Sequence, residues 1–257
     1  MFSDERRAQI LSYLEQNRSV AVSDLAQLFS SSESTIRRDL QELEQNGQVR
    51  RTHGGAIALG VASFEPTWQE RNVQNADAKV RIGKIGASLV QDNQTILLDS
   101  GTTTLQIARH LQAQNVTVVT NSLAIASELS GRPNVHLVML GGELRTTTGA
   151  FVGPFAEQML SHLHVDTLFL GANGMDASGV TTPNAVEAAT KQAMLKAANQ
   201  IVVASDQSKI GQVSFVQVCH WKEISMLLTD NLEDTELRDV LNRNQVEVKF
   251  APELIDS

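Results

Sequence analysis

The side chains best suited to chemistry lie between residues 32 and 53, where arginine, glutamine and serine recur at helical spacing. If Ile36, Leu40 and Leu43 form the buried face of a helix, a polar set faces the opposite way. That outward set is Ser34, Arg37, Arg38, Gln41 and Gln45. Arginine pairs with guanine, glutamine pairs with adenine, and serine reaches bases or phosphates. The set therefore suits the major groove of DNA.

Two further groups extend this candidate DNA-reading surface. Thr35 shares the first helical turn with Ser34, where backbone amides favour a phosphate. Arg50, Arg51 and His53 follow the helix and could contact flanking phosphates or the minor groove. The acidic residues of the helix lie at its sides, so we expect Asp39 to pair with a basic side chain of its own domain. An isolated arginine pair usually lies on a solvated helix face. Here the spacing of three helices and the basic hairpin after them favour a DNA-binding surface.

Three short helices and a hairpin must position this surface. The first helix covers 4–15, with Ile10, Leu11 and Leu14 as its apolar residues. Ser23 is expected to cap the second helix, whose core face is Leu25, Leu28 and Phe29. Ser32 is expected to cap the third helix and Gly47 to end it. Residues 49–53, a Gly54-Gly55 turn and residues 56–59 then read as a hairpin. This order predicts a winged helix-turn-helix.

A second group of polar residues follows predicted strands in the rest of the chain. Asp99, Ser100, Gly101, Thr102, Thr103 and Thr104 link one strand to a helix, and Thr120, Asn121 and Ser122 do so after the next strand. Such turns offer amides, hydroxyls and a positive helix end to an anion. Either turn alone would be an ordinary helix cap. Two in succession indicate a binding crevice, because ligands of open α/β sheets bind beyond the carboxyl ends of strands.

Other candidates for this crevice stand at further strand ends or on a nearby helix. They are Gly142, Asn173, Glu187, Lys191 and Lys209. Lys209 would supply the positive charge that a phosphate needs. Lys191 is a weaker candidate, since most lysines on helices are solvated.

Alternating strands and helices must position these turns. Strands are predicted over 95–99, 117–120, 136–140, 167–170, 200–204, 225–229 and 246–250. Helices are predicted over 78–90, 103–113, 123–129, 155–163, 185–198 and 235–242. This alternation is typical of an α/β domain with a mainly parallel sheet covered on both faces.

Length and composition limit the class of protein. A chain of 257 residues favours two domains, and the single Cys219 excludes an intrachain disulfide. No apolar run approaches the length of a membrane span, so we expect a soluble, cytoplasmic protein. The net charge of −8 argues against a polyanion-binding surface over the whole molecule. Residues 1–57 carry 7 basic and 8 acidic side chains, so most of the negative charge belongs to the rest of the chain.

The segment 32–40 with its T-I-R-R-D-L core, followed by Gly47 and then H-G-G-A at 53–56, resembles the deoxyribose-operon repressor (DeoR) family of bacterial regulators. D-S-G-T-T-T, T-N-S, G-G-E-L-R, G-A-N-G and a D-x-S-K loop extend the resemblance through the chain. The resemblance agrees with a winged helix-turn-helix over 1–57 and implies an effector-binding and oligomerisation domain over 77–257. The change in composition between them predicts a linker over 58–76 that packs partly through Phe64 and Trp68, since two aromatic residues are unusual in a free tether.

The same resemblance implies a function. Family members most often repress a carbohydrate-catabolism operon, and their effector domain resembles sugar-phosphate isomerases and coenzyme A transferases. By resemblance, residues 99–104 would form a phosphate-binding loop, and Thr120, Asn121 and Lys209 would complete the pocket wall. The expected partners are operator DNA, a phosphorylated sugar or polyol, and further copies of the chain in a dimer or tetramer.

The alternative is a sugar-phosphate isomerase or acyl-transfer enzyme that carries a DNA-binding domain. The lysine loop of such an isomerase is missing, and Glu187 alone is weak support for acid–base chemistry. We expect no catalytic residue, no cofactor and no metal, because His162 with His164 and Cys219 with His220 lack the spacing of zinc ligands.

Overall fold

The computed structural model describes residues 3–17, 19–46, 48–51, 54–58 and 65–251. The chain divides into two compact units, Met1–Pro66 and Thr67–Ser257. Phe64 and Gly47 lie outside the described residues. No helix in the described part of the chain is both long and apolar enough to cross a membrane.

The first unit consists of three helices and a small antiparallel sheet. Its elements are α1 (Ser3–Asn17), β1 (Ser19–Ala21), α2 (Val22–Leu28), α3 (Glu33–Gln45), β2 (Val49–Arg51) and β3 (Gly55–Ala58). The strands lie in the order β1-β3-β2. Ile10 and Leu14 pack with Leu25, Ile36 and Leu40 in one buried cluster. The predicted winged helix-turn-helix is therefore confirmed, with β1 as an additional strand.

The start of α2 differs from the expectation. Ser23 lies inside the helix, Ala21 stands at its N-cap without a side-chain hydrogen bond, and Leu28 is 54% exposed. The cause is β1, which pairs with β3 and runs directly into α2. The Val22 amide donates to the Gly54 carbonyl at 2.7 Å, so a backbone contact replaces the expected cap.

Gly55 also differs, since it belongs to β3 rather than to a turn. It lies opposite Ala21, and a Cβ atom there would stand 1.9 Å from the Val20 carbonyl oxygen. The strand pairing therefore requires glycine at this position, whereas a Cβ on Gly54 would meet nothing within 4 Å.

The second unit contains twelve strands and seven helices in the described residues. The strands are β4 (Thr95–Leu98), β5 (Val116–Thr120), β6 (Val135–Met139), β7 (Glu143–Arg145), β8 (Ala150–Val152), β9 (Val165–Leu170), β10 (Gly174–Asp176), β11 (Gly179–Thr182), β12 (Ala198–Ala204), β13 (Val216–Cys219), β14 (Met226–Thr229) and β15 (Glu247–Phe250). The helices are α4 (Trp68–Val73), α5 (Ala76–Ser88), α6 (Thr102–His110), α7 (Leu123–Leu129), α8 (Pro154–Leu160), α9 (Ala185–Ala197) and α10 (Thr235–Arg243).

The seven predicted strands form one parallel sheet in the order β15-β14-β12-β9-β4-β5-β6. Successive residues of a strand face opposite sides, and both sides of this sheet are buried. Leu97 and Leu168 belong to one apolar cluster, whereas Ile96, Leu98 and Phe169 belong to another. The predicted α/β domain with a doubly covered sheet is confirmed.

Smaller elements complete the second unit. The antiparallel sheet β10-β11-β13 and the hairpin β7-β8 are absent from the sequence-based assignment, as is α4. Each of these strands has only three or four residues, too few for a clear alternation of polar and apolar side chains. They nevertheless matter to the site, because β10 holds the segment after Lys209 through a hydrogen bond from the Gly211 amide to the Met175 carbonyl.

The two glycines of the hairpin give a matched test. We expect Gly55→Ala to destabilise the first unit by about 1–3 kcal/mol or more, since backbone must move to admit the methyl group. Gly54→Ala should change stability little. Hydrogen exchange of peptides from α3 measures the difference, and equal exchange in both variants would contradict the close contact between β1 and β3.

Candidate nucleic-acid interface and anion cleft

The outer face of α3 presents the side chains that the sequence predicts. Ser32 caps the helix, its Oγ accepting from the Thr35 amide at 3.2 Å, which confirms the expected start. Ile36, Leu40 and Leu43 are buried. Ser34, Arg37, Arg38 and Gln41 are exposed, and Thr35 is half-buried. This face therefore offers two guanidinium groups, an amide and two hydroxyls to solvent.

Asp39 ties α3 to α1 through a buried ion pair. The Arg6 Nε atom lies 2.5 Å from Asp39 Oδ2, and Arg6 Nη2 lies 3.2 Å from Asp39 Oδ1. The two residues are 8% and 3% exposed. The hydrogen bond to Asp39 raises the pKa of Arg6 above its ordinary value. Asp39 is thus a positioning residue for α3, and the expectation that it pairs within its own domain is confirmed.

The neighbouring arginines differ in how strongly they are held. Arg37 Nη2 lies 3.0 Å from Glu33 Oε2 in an exposed pair, which water and salt weaken. Glu44 accepts from the Arg51 backbone amide at 2.9 Å, and its carboxylate lies 3.9 Å from the Arg51 guanidinium. Arg38 has no hydrogen bond or ion pair to any described residue. His53 and the Arg50 side chain lie outside the described part of the chain.

A cleft opens in the second unit beyond the carboxyl ends of β4, β9 and β12. It contains roughly 400 Å³ of space, part of it open to solvent. Helix α6 begins there at Gly101, which provides no side-chain cap, so the first amides of the helix face the cleft unsatisfied by a cap. The Ser100 Oγ atom is buried without a hydrogen-bond partner among the described residues. Unsatisfied amides at a helix start and a spare hydroxyl suit an anion.

Among the described residues, four cationic side chains line this cleft. Besides Lys191 of α9 they are Arg71 from α4, Lys79 from α5 and Lys209 from the short turn Gln207–Lys209. The Nε and Nη2 atoms of Arg71 are buried, and neither has a hydrogen-bond partner in the described part of the chain. Enclosing these two nitrogen atoms without a hydrogen-bond partner costs free energy that an anion would recover.

The environment of Lys79 also shows that positive charges are close together in the cleft. Its Nζ atom donates to the backbone oxygens of Arg71 and Gln74, the latter at 2.6 Å. The pKa of Lys79 is lowered to about 8, chiefly by burial and also by the charges of Lys209 and Arg71, while Asp206 opposes the shift. An arriving anion would remove this mutual repulsion.

A row of alternating charges stands behind the cleft. Asp99 Oδ2 accepts from the Gly171 amide at 2.9 Å and pairs with Lys191 Nζ. Lys191 lies 3.8 Å from Glu187, which in turn pairs with Arg145. Asp99, Glu187 and Lys191 are all buried. Asp99 therefore positions Lys191 in the cleft wall, and the two carboxylates are already engaged by cations.

The structure separates the predicted crevice residues into two sets. Those that line the cleft are Ser100, Gly101, Thr102, Thr103, Asn173, Lys191 and Lys209. The others stand outside that lining and are Asp99, Thr104, Thr120, Asn121, Ser122, Gly142 and Glu187.

Several residues of the second set have structural partners. Thr104 Oγ1 donates to the Asp99 carbonyl at 2.6 Å, and Thr120 Oγ1 donates to the Leu98 carbonyl at 2.7 Å. Ser122 caps α7. A Cβ on Gly142 would stand 2.5 Å from the Val152 carbonyl oxygen, so that glycine permits close backbone packing. Asn121 differs from these, because its Oδ1 atom is buried without a partner among the described residues.

Sequence reasoning missed Arg71 and Lys79. Arg71 falls in the segment assigned to a linker, where no pattern singles it out. Lys79 carried a usable signal, because it shares one helical face with Ile82, Gly83 and Gly86, all buried. A lysine on the core face of a helix is unusual and indicates either an ion pair or a ligand.

Known proteins match both units. Residues 6–60 match the model of the DeoR-like helix-turn-helix domain, and residues 74–231 match that of the DeoR C terminal sensor domain. The HTH-type transcriptional repressor GlcR of Bacillus subtilis is 34% identical over 248 residues, with 96% of each chain covered. The HTH-type transcriptional regulator GlpR of Haloferax volcanii is 36% identical over 250 residues, covering 96% of this chain and 98% of that protein. The putative aga operon transcriptional repressor of Escherichia coli O157:H7 is 36% identical over 255 residues, covering 98% and 95%.

Solved structures resemble the chain only distantly. Translation initiation factor eIF-2B of Pyrococcus horikoshii OT3 has 14% identity and a TM-score of 0.45, with 89% of this chain and 82% of that chain covered. Ribose 5-phosphate isomerase A of Methanocaldococcus jannaschii has 20% identity and a TM-score of 0.39, with 53% and 55% covered. Similarity at this level indicates no shared activity.

The buried pair between α1 and α3 can be tested against an exposed one. We expect Asp39→Asn to destabilise the first unit by about 3 kcal/mol, because Arg6 would remain buried without its counter-ion. The matched change Glu33→Gln removes an exposed partner of Arg37 and should cost less than about 0.5 kcal/mol. Hydrogen exchange of α1 and α3 peptides measures both, and an equal effect would show that the buried pair does not hold the helices.

Proposed function

Since the chain belongs to the DeoR family of transcriptional regulators, we propose that it represses a carbohydrate-catabolism operon under the control of a phosphorylated sugar or polyol. The outer face of α3 reads operator DNA, and the cleft of the second unit binds the effector. The effector class is supported by the Nε and Nη2 atoms of Arg71, which are buried without a hydrogen-bond partner among the described residues beside Lys79, Lys209 and the start of α6. A phosphoryl group supplies the charge and the acceptor oxygens that these donors require.

The geometry accounts for control without turnover. Acid–base chemistry needs a carboxylate poised to exchange a proton with the ligand. Asp99 and Glu187 are instead engaged by Lys191 and Arg145. The curated relatives are transcription regulators, and the enzyme alternative has no support. The cleft therefore acts as a sensor.

The second part of the proposal concerns assembly. A single α3 covers one half-site, and helix-turn-helix proteins pair half-sites through twofold symmetry. We expect a homodimer or a larger even oligomer, located in the cytoplasm with the operator. Phe155 and Met159 share one face of α8 and are 74% and 37% exposed, which makes that face a candidate contact between copies.

Arg38 gives the sharper test of DNA reading. We expect Arg38→Ala to weaken operator binding about 10- to 100-fold, as loss of a base or phosphate contact does. Arg37→Ala should have a smaller effect, because Arg37 must first leave Glu33. Arg243→Ala on α10 serves as the control for charge. Fluorescence anisotropy with an operator fragment selected from genomic DNA measures all three, and unchanged affinity in the α3 variants would refute this surface.

Lys79 gives a pH test of the effector site. Its pKa of about 8, with α4 packed beside it, means that about half of the molecules in this arrangement lack this proton at pH 8. A bound dianion raises the pKa, so a sugar phosphate should bind with proton uptake at pH 8, and its affinity should fall as pH rises above that value. Calorimetry in buffers of different ionisation enthalpy measures the uptake.

The controls for this experiment lie on the same helix. Lys79→Met should abolish the proton uptake and weaken binding, whereas Lys84→Met, which changes an exposed lysine of α5, should leave both unchanged. The corresponding unphosphorylated sugars should not bind measurably. Equal binding of sugars with and without phosphate would contradict the proposed effector class.

A further inference from the structure

Helix α4 occupies a special place in the chain. It is the first element of the second unit and begins two residues after Pro66, where the first unit ends. None of its six residues, all of them described, is fully buried. Trp68 packs in part against an apolar cluster of the second unit, and its amide donates to the Thr147 carbonyl at 2.8 Å. Little apolar surface therefore holds α4 in place.

The C-terminal end of α4 is held by polar contacts. Lys79 Nζ donates to the carbonyls of Arg71 and Gln74. Asn75, in the left-handed region with φ of 49°, donates from Nδ2 to Asp206 Oδ1 at 2.8 Å. Water can replace hydrogen bonds of this kind at a net cost of about 1 kcal/mol each. The attachment of α4 is consequently weak enough for one further charge to determine whether the helix is docked or released.

Arg71 supplies the opposing force. Docking α4 encloses the Nε and Nη2 atoms of Arg71 with no partner among the described residues and brings the guanidinium close to Lys79 and Lys209. Desolvation of an unpaired charge and repulsion between like charges both disfavour the docked position. An anion in the cleft reverses both contributions, because it pairs with Arg71 and neutralises its neighbours.

We propose that α4 is an anion-controlled strap, docked on the second unit when the cleft holds an anion and released when the cleft is empty. This inference rests on the proposed effector site. Release would free residues 67–75, which span at most about 30 Å when fully extended, and would lengthen the connection to the DNA-binding unit by the difference between that span and the docked length of the segment. A longer connection would let the two α3 helices of a dimer vary more in their separation. Effector occupancy would in this way control how well that separation matches the spacing of two half-sites.

Hydrogen exchange of the full-length protein tests the strap, with inorganic phosphate as the probe. We expect saturating phosphate to slow amide exchange in the 67–75 peptide about tenfold or more, while exchange in α10 stays unchanged. In Arg71→Met the buried charge is gone, so exchange in 67–75 should no longer depend on phosphate. Arg243→Met, a matched change on α10, should behave as the unaltered protein does.

Calorimetry on the same samples distinguishes failure of the strap from failure of the effector site. If phosphate binds and exchange in 67–75 does not change, the strap is refuted while the effector site stands. A normal phosphate response in Arg71→Met refutes the strap as well. If neither phosphate nor any sugar phosphate binds, the effector site and the strap both fail.

Discussion

Parallel pairing of the central strands is the constraint on which the cleft depends. Because β4, β9 and β12 run in one direction, the residues that follow them meet at one edge of the sheet. Ser100, Gly171 and Ser205 are far apart in sequence and nevertheless line one space. The same edge receives the start of α6, whose amides need an external partner. The proposed anion site is thus a consequence of topology, to which the side chains add charge.

The sequence predicts this framework well because burial on both faces imposes a simple pattern. Most strands of the large sheet are short runs rich in apolar residues, whereas the edge strand β15 alternates charged and apolar side chains. Each strand was located to within about two residues, the usual uncertainty of element ends. The strands β10, β11 and β13 were missed, since three or four residues are too few to establish a periodicity. Ser23 misled for a related reason: a serine before an apolar run resembles a cap, and only the pairing of β1 with β3 shows otherwise.

The candidate sites were predicted unevenly for a physical reason. The outer face of α3 follows from one helix, so local spacing is sufficient to identify it. The cleft draws on elements that are distant in sequence, and the hydroxyls of Thr104 and Thr120 turn out to bond backbone carbonyls instead of facing it. Arg71 becomes significant only in three dimensions, where its Nε and Nη2 atoms are buried without a hydrogen-bond partner among the described residues.

The row of charges from Asp99 through Lys191 and Glu187 to Arg145 affects which groups would attract a ligand and which would select it. These groups largely neutralise one another, so the attraction for a ligand comes from Arg71, Lys79 and Lys209. Coulombic attraction varies slowly with distance and is indifferent to the stereochemistry of a hydroxyl. Discrimination between one sugar and another must then fall to short, directional contacts such as those of Asn173. With the effector site proposed here, such a protein could change the metabolite it senses by replacing a few neutral side chains while its cationic anchor stays intact.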